Sequence, residues 1–148
     1  MAQSHHLQGM PILVIDDDPD SLALLTFVLP MEGAVVRAVD CIAAAQTSFL
    51  AQPPPLVVSD LALPGTTGYD FIAWVRALSP AAGGRVPVLA LTAMASEADR
   101  QQALAAGFNE HLTKPVDLAL LLLVLEHLLQ KAQSNQGLEA PESSASVP

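Results

Sequence analysis

The chain has 148 residues, 51% of them apolar, with one cysteine and a formal charge of −9. That length fits one domain with a sizeable core, and the acid excess argues against direct nucleic-acid binding, because phosphate contacts need cations. Cys41 alone excludes an intramolecular disulfide and reads as a buried or half-buried apolar residue. No apolar run reaches the roughly 18 residues of a membrane span, and no signal peptide is recognisable, so the expectation is a cytoplasmic protein without membrane insertion.

Residues 1–10 read as a flexible leader, with His5-His6 lacking neighbours that would complete a metal site. Residues 11–16 form the first predicted strand, and Asp17-Asp18 follows it. Pro19 opens a helix to about Glu32, a place where its missing N–H costs nothing. Gly33 is an end signal. Val35–Val39 is a second strand and Ile42–Gln52 a second helix, stopped by Pro53-Pro54-Pro55. Leu56–Ser59 is a third strand running into Asp60. After a Gly65–Gly68 loop comes a helix over Tyr69–Leu78, then a connection over Ser79–Arg85 and a strand over Val86–Leu91 that runs into Thr92. Ser96 caps a helix through about Ala106, with Glu97 and Asp99 at its positive end, and Gly107 ends it. Phe108–Thr113 is a short fifth strand, Val116–Gln133 the last helix, and 134–148 a disordered tail or linker stub.

Strands and helices in alternation imply right-handed crossovers and a doubly wound α/β fold with a five-stranded parallel sheet. For this size the expected order is 2-1-3-4-5, the flavodoxin-like arrangement. Ligands of such sheets sit at the carboxyl ends of the strands, so Asp16, Asp17, Asp60, Thr92 and Lys114 are all placed at one edge. Two carboxylates about 4 Å apart repel by roughly 4 kcal/mol at an effective dielectric of 20, which a hard cation between them would relieve. Oxygen ligands with retained water suit Mg²⁺. The plainer alternative is that the three Asp residues only cap the following helix. One mechanism uses every group: Asp60 attacks phosphorus, a cation and Lys114 hold phosphoryl oxygens, and Thr92 donates to another.

With these residues in hand, the chain resembles a receiver domain of bacterial two-component signalling over about residues 11–132. The motifs are the acid pair after strand one, Asp60 followed by Leu63-Pro64-Gly65 and Gly68, Thr92 in Leu91-Thr92-Ala93, and Lys114-Pro115. Leu104-Ala105-Ala106-Gly107-Phe108 and Lys114-Pro115-Val116 resemble receivers of hybrid sensor histidine kinases. The resemblance implies Asp60 as phosphoacceptor, and Asp16, Asp17, Asp60 and the Ala62 backbone carbonyl as ligands of Mg²⁺ or Mn²⁺. It also implies Thr92 as switch hydroxyl, Lys114 as phosphate-binding amine and a cis bond before Pro115. Implied partners are a histidine kinase or histidine phosphotransfer protein and a downstream protein, with a monomer or weak dimer as the expected state. Such a protein is a signalling phosphoacceptor rather than an enzyme, and phosphorylation changes its helix 4–strand 5–helix 5 face.

Two positions depart from the family pattern. His111 stands where a Tyr or Phe is usual, three residues before the lysine; it is a switch residue, or else a strand residue facing solvent. Thr66-Thr67 stands between the loop glycines where Met and Asp are usual. Ala62 and Met94 flank the site without a group to orient water, which predicts slow self-dephosphorylation. The competing functions are a phosphorylation-independent interaction module and a haloacid-dehalogenase-type phosphatase using Asp16-x-Asp18. The latter leaves Asp60 without a role.

Overall fold

The computed structural model describes residues 7–63, 66–93 and 96–145. Five strands, β1 (Pro11–Ile15), β2 (Val35–Val39), β3 (Leu56–Asp60), β4 (Val88–Thr92) and β5 (Glu110–Thr113), form one sheet in the order 2-1-3-4-5. Every neighbouring pair is parallel. The connecting helices are α1 (Pro19–Met31), α2 (Ile42–Ala51), α3 (Gly68–Ala77) and α4 (Glu97–Ala106), and α5 (Leu118–Ala145) closes the domain. The predicted fold class and strand order both hold.

β3 and β4 are buried along their whole length, which is why they read as unbroken apolar runs rather than alternating ones. Alternate residues feed two cores. Leu13, Ile15, Val57, Val88 and Ala90 pack with Phe49, Phe71, Ile72 and Ala103 of α2, α3 and α4. Ile12, Val14, Val58, Leu89 and Leu91 pack with Leu25 and Leu29 of α1 and Leu121 and Leu125 of α5.

Several boundaries differ from expectation. β1 stops at Ile15, so Asp16 lies just past the strand. β4 begins at Val88 and β5 at Glu110, because Asn109 ties the ladder's start: its N–H donates to the Val88 carbonyl and its Oδ1 accepts from the Val88 N–H. The predicted leader is shorter. Leu7 is buried among Ile12, Leu25 and Leu29, and Gly9 N–H donates to the Gly33 carbonyl. Residues 1–6, with the His5-His6 pair, lie outside the described residues. At the other end the α5 backbone stays helical to Ala145, past the expected stop at Gln133, since lengthening an existing helix is far cheaper than starting one. Residues 146–148 also lie outside the described residues. A two-stranded ribbon, Ala62–Leu63 against Thr66–Thr67, occupies part of what reads as plain loop. Among the described residues, no helix is long and apolar enough to cross a membrane.

Candidate functional site

The carboxyl ends of β1, β3, β4 and β5 carry the polar residues that the sequence singles out. Register brings them together: Ile15 pairs with Ser59, Asp60 with Leu91, and Thr92 with Thr113. Asp16 and Asp60 therefore follow neighbouring strands. Asp16 is fully buried, Asp60 and Thr92 nearly so, and Asp17 is exposed. One carboxylate oxygen from each of Asp16, Asp17 and Asp60 falls within a 4.8 Å cluster.

Lys114 enters this cluster from the end of β5. Its backbone N–H donates to the Thr92 carbonyl at 2.7 Å, and its Nζ donates to Asp16 Oδ2 at 2.8 Å and Asp60 Oδ2 at 3.3 Å. The Lys114-Pro115 peptide is cis, as the resemblance implies. Asp60 Oδ1 accepts from the Ala62 N–H at 3.1 Å. Asp16 Oδ1 accepts from the Asp18 N–H at 2.9 Å. Each backbone donor steers one oxygen of its carboxylate and leaves the other for the lysine.

The electrostatics follow from this crowding. Burial pushes the Asp60 carboxyl up to about 6; the Ala62 N–H opposes the rise, the Asp16 charge adds to it, and the Lys114 charge opposes it. For Lys114, burial works against the charged form, yet the hydrogen bond to Asp16 and the charges of Asp60 and Asp16 outweigh it and raise its pKa. The amine is thus held as a cation. Two buried carboxylates facing one ammonium leave negative charge in excess, and three oxygen donors within reach fit a hard divalent cation that keeps part of its water. Asp18 does cap α1, accepting from the Asp20 N–H and the Ser21 hydroxyl, and the Ser21 bond lowers its pKa. The capping reading therefore applies to Asp18, while Asp16 and Asp17 turn into the cluster.

Sequence reasoning missed several groups. Ala62, expected to offer its carbonyl, gives its backbone N–H to Asp60. Gly68 opens α3 against the site: a Cβ there would meet the Asp60 carbonyl oxygen at 2.6 Å. Thr67 caps α3 in a reciprocal box with Asp70, a pattern readable from Thr-x-x-Asp spacing. His111 is buried at 7% exposure, which overturns the alternative of a solvent-facing residue. Met94, expected beside the site, lies outside the described residues.

A family model described as the response regulator receiver domain matches residues 12–126. An uncharacterized 14.6 kDa protein of Leptolyngbya boryana is 47% identical over 124 residues, 83% of this chain and 93% of that protein. The transcriptional regulatory protein KdpE of Mycobacterium tuberculosis is 32% identical over 130 residues, 88% of this chain and 55% of its own length. The chain thus spans about half of that regulator. Among solved structures, the receiver domain of the sensor histidine kinase PA1611 from Pseudomonas aeruginosa was crystallised with a magnesium ion coordinated in its active site cleft. It aligns with a TM-score of 0.75 and 33% identity, over 82% of this chain and 98% of that domain.

Proposed function

This chain belongs to the response regulator receiver family, and from that premise we propose that it is a phosphoacceptor switch that takes a phosphoryl group from a phosphohistidine onto Asp60. The observation that carries the reading is the Lys114 ammonium bonded to both Asp16 and Asp60 inside a cluster of three carboxylates. An Asp60 oxygen attacks phosphorus to form an acyl phosphate as the P–N bond to the donor imidazole breaks. At neutral pH the Asp60 carboxyl, titrating at about 6, is mostly in the nucleophilic form. Lys114 gives its ammonium to a phosphoryl oxygen, and Thr92, at the end of the adjacent strand, gives its hydroxyl to another.

Asp16, Asp17, Asp60 and the Ala62 carbonyl would hold Mg²⁺, or Mn²⁺ in its place. When bound, that ion offsets the negative charge of the acids and the phosphoryl oxygens. The added phosphate charge, about −1.5 to −2, draws Thr92 and the following loop inward and reshapes the α4–β5–α5 face for a downstream protein. The donor is a histidine kinase or histidine phosphotransfer protein. Leu24, Phe27 and Met31 lie exposed at helical spacing on α1, and this apolar stripe begins beside the site and suits such a docking partner. The protein acts in the cytoplasm as a monomer or weak dimer and turns over no substrate beyond its own phosphoryl group. Ala62 has no side-chain group to position water, so the phosphoryl group leaves slowly.

The test is intact mass after incubation with Mg²⁺ and acetyl phosphate. A single phosphoryl adduct is expected, absent in Asp60→Asn and decaying over minutes rather than seconds. No adduct from acetyl phosphate, beryllofluoride or a kinase would leave a phosphorylation-independent binding module.

A further inference from the structure

His111 on β5 pairs with Ala90 in the register. Ala90 faces the core made by Phe71, Ile72 and Ala103, so the imidazole lies on the same side of the sheet as α4 and Thr92. It is more than nine-tenths buried. Its Nε2 is shut off from solvent and has no hydrogen-bond partner among the described residues. A Phe or Tyr ring would fill this space without an unpaired ring nitrogen, so packing alone does not call for an imidazole.

We propose that His111 is a proton-sensitive latch that sets how firmly α4 sits on the sheet. A neutral imidazole can stay inside with one nitrogen unpaired. An imidazolium must donate from both nitrogens, and among the described residues Nε2 has neither an acceptor nor contact with solvent. Protonation therefore turns the ring outward and loosens α4. The charged neighbours have partners of their own. On β5, Glu110 spends its Oε1 on the His111 backbone N–H at 3.2 Å and on Arg100 of α4 at 3.4 Å. Arg100 also lies 3.9 Å from Glu97, and Asp99 of α4 accepts from the Ser96 hydroxyl. From α3, Tyr69 packs edge-on against Phe108, and Arg76 is bonded to Gly107 and Asn109. β4 contributes Thr92 and no charged side chain. The proposal rests on the phosphoacceptor reading only for its consequence: mild acid opposes the inward, phosphate-favoured arrangement of Thr92 and α4.

The experiment is an NMR pH titration of histidine-labelled protein between pH 5 and 8.5, following the imidazoles and the α4 backbone amides. It is run beside His111→Phe and Asp60→Asn, the latter removing the carboxyl that titrates at about 6. The expected result is that α4 amides shift with the midpoint of the His111 ring in wild type and Asp60→Asn. In His111→Phe that transition is lost. Wild-type affinity for beryllofluoride with Mg²⁺ should also weaken on acidification roughly fivefold more than that of His111→Phe, within the range of ordinary coupling between sites. A ring that does not titrate, α4 amides indifferent to it, or an unchanged α4 transition in His111→Phe would overturn the latch. Failure of the phosphoacceptor reading shows separately, as no adduct on Asp60.

Discussion

At the carboxyl edge of the sheet Lys114 stands between two buried carboxylates, whereas beneath α3 Arg76 stands among neutral oxygens only. Arg76 donates through Nε and Nη2 to the Gly107 carbonyl, through Nη1 to those of Gly84 and Val86, and through Nη2 to Asn109 Oδ1. Among the described residues no acid joins it, and burial lowers its pKa. The clamp ties α3 to the loops before β4 and β5 and takes up the Gly107 carbonyl at the end of α4, where a helix leaves its acceptors unpaired. Its charge has nowhere else to go and nothing competes for it. Lys114 has the reverse problem: more negative charge around it than one ammonium can balance. The first arrangement holds the fold, and the second leaves room for a further cation or a phosphoryl group to exchange places with what is there.

Removing each cation should therefore have different remedies. Arg76→Met is expected to have the largest effect, a loss of about 3 kcal/mol of stability, because several carbonyls lose charge-assisted bonds at once. Urea unfolding should return the same loss in chelator and in Mg²⁺. Lys114→Met should cost about 2 kcal/mol in chelator, since it leaves fully buried Asp16 without its counter-ion. Most of that loss should return on adding Mg²⁺. Recovery of the arginine variant by Mg²⁺, or none for the lysine variant, would break the distinction between the two regions.

The lysine's site was far more legible in sequence than the arginine's. Asp16, Asp17, Asp60, Thr92 and Lys114 each end an apolar run, and strand order alone brings such positions to one edge. Arg76 sits in a helix with no acid at helical spacing to mark it, and its partners are backbone carbonyls, which carry no sequence signature. The close approach at Gly68 is hidden for the same reason, being a contact between backbones. β5 starts later than the sequence suggests, because Phe108 is apolar and looks like strand, whereas it packs into the core ahead of the ladder that Asn109 begins. His111 was visible as a departure from the family pattern, but its burial became plain only from its register opposite Ala90.

The smallest expected effect concerns Asp60 and sharpens the comparison through pH. Burial raises its carboxyl from 3.8 to about 6, the Ala62 N–H opposes that rise and the Asp16 charge adds to it. A carboxyl whose folded pKa lies above its unfolded value favours the folded state while protonated. That stability is complete below about 3.8 and is lost as pH rises through about 6. At neutral pH wild type thus carries a charge the fold would rather not hold. Asp60→Asn removes it and should be the more stable protein at pH 8 in chelator, with the advantage shrinking towards pH 4. Mg²⁺ should narrow the gap at pH 8, because the cation relieves in wild type the repulsion that the substitution abolishes. Melting curves of both proteins at these two pH values, with and without Mg²⁺, measure all of these differences. An advantage that persisted at pH 4 would place the gain in packing rather than charge, and Asp60 would then resemble the Arg76 region, a fixed structural group rather than a site held ready for a cation.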